Sequence, residues 1–281
     1  MYLKKLTKTI DRMNQIKEEN DFSKKTLAEL NELPSFNGVC ELQFKNNFFY
    51  MLNIANDDSI PLKFFWRKNY EKLALSLWYK MTRSDSFFFD VGAHTGIYSI
   101  IGNIDKKINN IISLEPYHLN FSRLISNLRL NEISTNYCQM RAASNSQGID
   151  RLAINTTQGY HTQGGKITEN GNYNVQKLKL DDIKLDKKVG GIKIDTEGHE
   201  FEVIEGAVKI IENFKPDLLI EINENSFNKS INFLKKYNYK FYYLDEDNER
   251  LMNVTNFSDY HIQEEGTNCF ATVKGIESFK I

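Results

Sequence analysis

From residue 86 onward the chain alternates short apolar runs with stretches whose apolar positions recur every three or four residues. Phe87–Phe89, Ile111–Leu114, Ile192–Ile194 and Leu218–Ile222 are dense enough to be buried strands. Between them, Phe121, Leu124, Ile125 and Leu128 mark one helix face, and Phe201, Ile204, Ala207, Val208 and Ile211 mark another. Ile231, Phe233, Leu234 and Tyr237 belong to one more helix. Tyr137–Ala143 reads as a third strand, with Asp150–Asn155 and Asn174–Leu180 as further ones. Lys240–Leu244 and Cys269–Val273 close the sheet as an antiparallel pair. Strand and helix in alternation predict an α/β fold with a doubly wound, mostly parallel, seven-stranded sheet.

Upstream the pattern differs. Residues 1–33 are charged with sparse apolar positions, which predicts one or two surface helices ending near Pro34. Val39–Phe44 and Phe48–Ile54 flank Lys45-Asn46-Asn47 as a β-hairpin. Pro61 is expected to break the chain, and Trp66–Met81 then carries helical spacing at Tyr70, Leu73, Ala74, Leu77, Trp78 and Met81. The organisation expected is a helical and hairpin extension over residues 1–65, followed by a cofactor-binding domain over 66–281.

The 281 residues carry a formal net charge of −1 with both signs interspersed, which argues against a nucleic-acid partner. Cys40, Cys138 and Cys269 lie far apart and form no metal-ligand pair, so they read as reduced thiols of a cytoplasmic protein. Met1–Lys5 lacks a continuing apolar run, and neither a signal peptide nor a transmembrane segment is expected. A homo-oligomer is compatible with all of this.

The chemistry is concentrated where strands end. Phe89-Asp90-Val91-Gly92-Ala93-His94-Thr95-Gly96 reads as a strand, a glycine turn and a helix start. Gly92 and Gly96 permit backbone settings and approaches that a Cβ blocks. In open α/β sheets, ligands bind beyond the carboxyl ends of the strands, and three strands here end in acids: Asp90, Glu115 and Asp195. Glu115 follows Gly96 by nineteen residues, close to the spacing at which an acid reaches ribose hydroxyls. A dinucleotide calls for G-x-G-x-x-G around its pyrophosphate. The pattern Asp90-x-Gly92-x-x-x-Gly96 instead sets an acid where an ammonium would be welcome. That favours S-adenosylmethionine over NAD, and methyl transfer over an NAD-dependent oxidoreductase.

Taken together, Phe89–Gly96, Leu114-Glu115-Pro116, Ile192-Lys193-Ile194-Asp195-Thr196-Glu197-Gly198-His199-Glu200, Glu205-Gly206-Ala207 and Pro216–Ile222 resemble the FkbM-type S-adenosylmethionine-dependent methyltransferases. The resemblance covers about residues 66–245. It implies a class I, Rossmann-like fold and O-methylation of a hydroxyl on a small-molecule or carbohydrate acceptor. Carried over, Asp90, Gly92, Ala93, His94, Thr95 and Gly96 line the methionine end of the cofactor, and Glu115 with Pro116 the ribose. Ala142 and Ala143, with Ser144, stand where such enzymes hold adenine. His94 occupies a position where asparagine is frequent in the family.

A hydroxyl acceptor needs a base, or a metal that lowers its pKa. Asp195, Glu197 and His199 sit at one strand end, with His199 attractive because its unperturbed pKa lies near neutrality. Asp195 with Glu221 or Asn223 would suit Mg²⁺ or Ca²⁺, the less favoured alternative. The glycine-rich stretch Thr156–Asn172, with Tyr160, His161 and Thr162, reads as a loop that could close over the acceptor. A non-catalytic member that binds S-adenosylhomocysteine is the other reading to be tested.

Overall fold

The computed structural model describes residues 2–35, 37–83, 85–105, 110–154, 164–222, 224–254 and 267–279. The chain opens with α1 (Tyr2–Glu19) and α2 (Leu27–Asn31); Thr26 and Glu29 cap α2 reciprocally, each side chain taking the other's backbone N–H. Strands β1 (Asn37–Phe44) and β2 (Asn47–Ile54) pair antiparallel around a two-residue turn, Lys45-Asn46. Helix α3 (Ser59–Arg67) follows, capped by Asp58, which accepts from the Ile60 N–H. Pro61, expected as a break, lies in the first turn of α3, where a missing N–H costs nothing. The stretch 66–81 is correspondingly two helices: α3 stops at Lys68 in a left-handed setting, and α4 (Lys72–Met81) starts afresh.

The remaining elements run β3 (Phe87–Val91), α5 (Ile97–Asn103), β4 (Ile111–Leu114), α6 (His118–Leu130), β5 (Cys138–Gln139), β6 (Ala142–Ala143), β7 (Gly148–Ala153), β8 (Lys166–Ile167) and β9 (Tyr173–Leu178). Then come β10 (Val189–Ile194), α7 (Glu200–Glu205), α8 (Val208–Phe214), β11 (Asp217–Glu221), α9 (Glu224–Lys235), β12 (Lys240–Asp245), β13 (Arg250–Asn253) and β14 (Asn268–Thr272). The main sheet has the order β13-β12-β14-β11-β10-β3-β4-β5. Strands β11, β10, β3, β4 and β5 are parallel; β14 and β12 are antiparallel, as the sequence suggested for that pair. The eighth strand is β13, a hairpin partner added to the edge at β12. This is the doubly wound, Rossmann-like architecture.

Residues 137–143 divide between two sheets. β5 completes the main sheet, while β6 pairs with β9 in a separate four-stranded sheet of order β6-β9-β7-β8. The strands expected at 150–155 and 174–180 are therefore an antiparallel pair outside the main sheet. The helix expected from Phe201 is likewise two, α7 and α8, parted at Gly206, where an added Cβ would lie 2.9 Å from the Ser144 carbonyl carbon. Of the loop 156–172, residues 156–163, with Tyr160, His161 and Thr162, lie outside the described residues.

Period-two alternation along the strands builds two cores. Phe87, Phe89 and Val91 face α7–α9, while Phe88 faces α4 and α5. Met13, Leu30, Phe49, Leu77 and Ile100 join the latter cluster, so the N-terminal segment and the sheet share apolar packing. Among the described residues no helix is long and apolar enough to cross a membrane.

Candidate active site

At the carboxyl ends of β3, β4, β10 and β11 the wall of one cavity of about 270 Å³ gathers Gly92, Ala93, His94, Glu115, Pro116, Ala142, Ala143, Asp195, Glu197, His199 and Glu221. Backbone economy brings the strand tips together. Gly92 has φ 74, and its N–H and that of Ala93 both donate to the Leu114 carbonyl at 2.9 Å. A Cβ on Gly92 would overlap the Asp195 backbone, lying 2.8 Å from its carbonyl carbon. The turn thus presses against the end of β10, where the Asp195 N–H donates to Val91 at 3.0 Å. Gly96, at φ 102, starts α5 and leaves room for Leu124.

Asp90 and Thr95 work beneath this surface. The register sets Lys193, Asp90 and Ser113 side by side on one face of the sheet. Asp90 accepts from Ser99 Oγ at 2.6 Å, and Ser99 also meets Ser113 Oγ at 2.6 Å, so the acid pins α5 to the strand that precedes it. Burial pushes the Asp90 pKa up to about 6, against the Ser99 hydrogen bond and the Lys193 charge. Thr95 Oγ1 donates to Asp58 Oδ2 at 2.6 Å, fastening the turn to the start of α3. The methionine-end role expected of Asp90 therefore has no carboxylate at the surface to perform it.

Glu115 stands at the tip of β4 with both oxygens oriented. The His94 N–H donates to Oε2 and the Tyr117 N–H to Oε1, each at 2.9 Å. His94 reaches this position through a left-handed backbone, φ 51. Burial raises the Glu115 pKa to about 8, with the two backbone donors opposing the rise. The Asn120 side chain donates to Glu115 as well, so three of its about four acceptor positions are taken and about one stays open to a ligand hydroxyl. Among the described residues His94 Nε2 is buried without a hydrogen-bond partner, a polar atom on the cavity wall that a ligand could satisfy.

Across the cavity lies a cluster of charge. One oxygen from each of Asp195, Glu197 and Glu221 falls within 4.8 Å of the others. Lys193, 1% exposed, donates to Asp195 Oδ2 at 3.1 Å and sits 4.9 Å over the Tyr98 ring. Despite its burial, Asp195 is held below the usual carboxylate range, chiefly by the Lys193 charge. Glu221 is driven the other way: repulsion from Asp195, then burial, raises its pKa to about 10. At neutral pH Glu221 therefore carries a proton that it shares with an ionised Asp195. Asn223, the other ligand considered for a metal, lies outside the described residues.

The loop after β10 is wound around Glu200, which is fully buried and accepts from the Gly198 N–H at 2.7 Å and from the Thr196 N–H at 3.3 Å. Gly198 at φ 107 and Glu197 at φ 56 make that winding feasible. Glu197 in turn accepts from the Gly164 N–H at 3.1 Å, linking the end of the glycine-rich stretch to the charge cluster. His199 points Nε2 at Ser144 Oγ, 3.0 Å away, and burial lowers its pKa. The contact fastens the ring to the strand end that carries Ala142 and Ala143.

The sequence profile of the Methyltransferase FkbM domain matches residues 90–241. The chain belongs to the FkbM methyltransferase family. Among solved structures it is similar to a methyltransferase FkbM from Methylobacillus flagellatus KT, with 18% identity and a TM-score of 0.45 over 75% of this chain and 52% of that one. The chain therefore spans about half the length of that relative. A precorrin-6y C5,15-methyltransferase from Geobacter metallireducens GS-15 shares 16% identity, TM-score 0.41, over 72% of this chain and 88% of that one. An rRNA methylase from Streptococcus thermophilus shares 8%, TM-score 0.44, over 72% and 94%. No match is found among curated proteins.

In this FkbM-family chain, Lys193, Tyr98, Glu71, Tyr70 and Lys63 also face or support the cavity, and motif reading passed over them. Lys193 was the most discoverable, since a lysine between Ile192 and Ile194 inside an apolar strand must be neutralised wherever its face points. Lys63, Tyr70 and Glu71 come from residues 60–71, before the family match, where no motif announces them, while Tyr98 lies inside the match on the helix that follows the glycine turn.

Proposed function

We propose that this FkbM-family protein transfers the methyl group of S-adenosylmethionine to a hydroxyl oxygen on a small molecule or sugar. The observation that carries this reading is Glu115, whose two oxygens are preset by the His94 and Tyr117 N–H groups beside the Gly92 turn. In the reading, Glu115 accepts a ribose hydroxyl, and the Gly92–His94 backbone with His94 Nε2 meets the adjoining part of the ligand. Ala142 and Ala143, with Leu152 and Ile154 opposite, offer an apolar slot for adenine.

Bound there, S-adenosylmethionine supplies an electrophilic methyl group, so that a C–O bond forms as the S–C bond breaks and the electron pair stays on sulfur. The chain's task is to align the acceptor oxygen and receive its proton. Asp195 receives it: Lys193 keeps its carboxylate ionised, and Glu221, already protonated, donates to it rather than competing for the same proton. Glu197 orients the acceptor from the neighbouring loop, and His199 holds the Ser144 strand end in place. Lys193 and the Glu221 proton offset two of the three carboxylate charges, and this scheme routes no step through a divalent cation.

Methyl-tritiated S-adenosylmethionine offered with a panel of polyols, sugars and phenols tests the reading. The expected product keeps its label through mild alkaline hydrolysis, as a methyl ether does. Label released as methanol would indicate a carboxyl acceptor and overturn the hydroxyl assignment.

A further inference from the structure

One end of the cavity is walled by the segment that precedes the family match. Helix α3 contributes Lys63, and the turn into α4 contributes Tyr70 and Glu71. Removing an ammonium from water is costly, so a lysine only 4% exposed on a cavity wall is informative. Its Nζ lies 5.4 Å from the centre of the Tyr70 ring. Glu71 is buried too, and it opens α4 at φ 38, a left-handed setting that costs a non-glycine residue energy. Its carboxylate accepts from the Tyr98 and Tyr70 hydroxyls. Burial raises its pKa, against the Lys193 charge and the Tyr98 hydrogen bond, so a further cation beside it would favour the ionised form.

This end therefore presents a buried cation from α3 and a buried carboxylate from the first turn of α4. Both are held rigidly relative to the glycine turn. Asp58 joins α3 to Thr95, and Trp78 Nε1 of α4 donates to the Tyr98 carbonyl at 2.8 Å. The amino-acid end of S-adenosylmethionine is a zwitterion of matching pattern. We propose that Lys63 binds the α-carboxylate and Glu71 the α-ammonium of that zwitterion. The N-terminal segment then completes the cofactor site, and the part expected of Asp90 passes to Glu71. The assignment rests on the S-adenosylmethionine reading above.

Three ligands separate the contributions by calorimetric titration of the full chain: S-adenosylmethionine, its decarboxylated form, which keeps the ammonium, and 5′-methylthioadenosine, which has neither group. Lys63→Met is expected to weaken S-adenosylmethionine about tenfold to hundredfold, the range of a charge-assisted hydrogen bond, and to leave the other two within about twofold. Glu71→Gln is expected to weaken the first two and spare 5′-methylthioadenosine. Lys63→Arg should retain most of the wild-type discrimination. Retained 5′-methylthioadenosine binding shows that a variant has folded. If Lys63→Met cannot be obtained folded, the wild-type preference for the carboxylated ligand decides, and equal affinities overturn the proposal. Uniform weakening of all three ligands by Lys63→Met, or unchanged S-adenosylmethionine binding, also overturns it; the latter would leave Lys63 to an anionic acceptor. A wild-type chain that binds 5′-methylthioadenosine but neither larger ligand defeats this assignment alone, whereas one that binds none of the three defeats the methyltransferase reading with it.

Discussion

Substituting Gly92 by Ala probes the contact on which the site geometry depends. Two costs combine at this position. A left-handed setting costs an L-residue roughly 1–2 kcal/mol. An added Cβ would also lie 2.8 Å from the Asp195 carbonyl carbon and nearer still to its oxygen, against backbone that cannot rotate away. That is about 0.7 Å inside an ordinary carbon–carbon separation of roughly 3.5 Å. Forcing such an overlap adds about 1–3 kcal/mol. Gly164 is the matching control: its φ of 77 is close to the 74 of Gly92, but among the described residues nothing lies within 4 Å of its added Cβ. Urea unfolding should therefore show Gly92→Ala losing about 2–5 kcal/mol and Gly164→Ala only about 1–2 kcal/mol, since the second carries the dihedral cost alone. The surplus at Gly92 should come with weaker binding of S-adenosylhomocysteine, because parting β3 from β10 moves the His94–Glu115 wall away from Asp195. Equal destabilisation by the two substitutions would refute the claim that the turn is packed on Asp195.

Four other perturbations test the charges. Glu115→Gln should weaken S-adenosylhomocysteine about tenfold to hundredfold and abolish the rise in affinity expected as pH climbs to about 8, because the raised pKa means that the carboxylate forms only there. With a folded pKa of about 8 against an ordinary 4.5, the folded chain holds a proton the unfolded chain has lost; stability should fall as pH rises across that window, and Glu115→Gln should flatten the fall. Asp195→Asn should lower kcat by about a hundredfold or more, the scale of general-base catalysis. Glu221→Gln, which mimics the protonated acid, should keep near-normal turnover at neutral pH while losing the alkaline limb expected near pH 10, read from pH–rate profiles. Excess EDTA should leave methyl transfer unchanged, since Lys193 and the Glu221 proton already offset two of the three carboxylate charges; loss of rate restored by Mg²⁺ would show that offset to be insufficient.

The strand ends were the most legible part of the sequence, because glycine turns and terminal acids announce themselves locally. Glu115 and Asp195 both line the cavity, as an open parallel sheet requires of acids at the carboxyl ends of its central strands. Asp90 shows the limit of that logic. One residue before the strand ends, the alternation of faces turns its carboxylate down onto Ser99 instead of outward. His199 was attractive for its pKa, but the partner that occupies it, Ser144, lies fifty-five residues away and no local pattern reveals the contact. The split of residues 137–143 between two sheets, and the placement of Lys63 and Glu71, likewise depend on tertiary packing. Pro61 does not break the chain because Asp58 caps the helix in whose first turn the proline sits.

The most direct measurement is a calorimetric titration of the full chain with S-adenosylhomocysteine, run beside NAD and repeated on Glu115→Ala. One bound S-adenosylhomocysteine per chain, no heat from NAD, and loss of the signal in Glu115→Ala are the results expected. NAD binding in its place, or S-adenosylhomocysteine binding that survives Glu115→Ala undiminished, would contradict the site described.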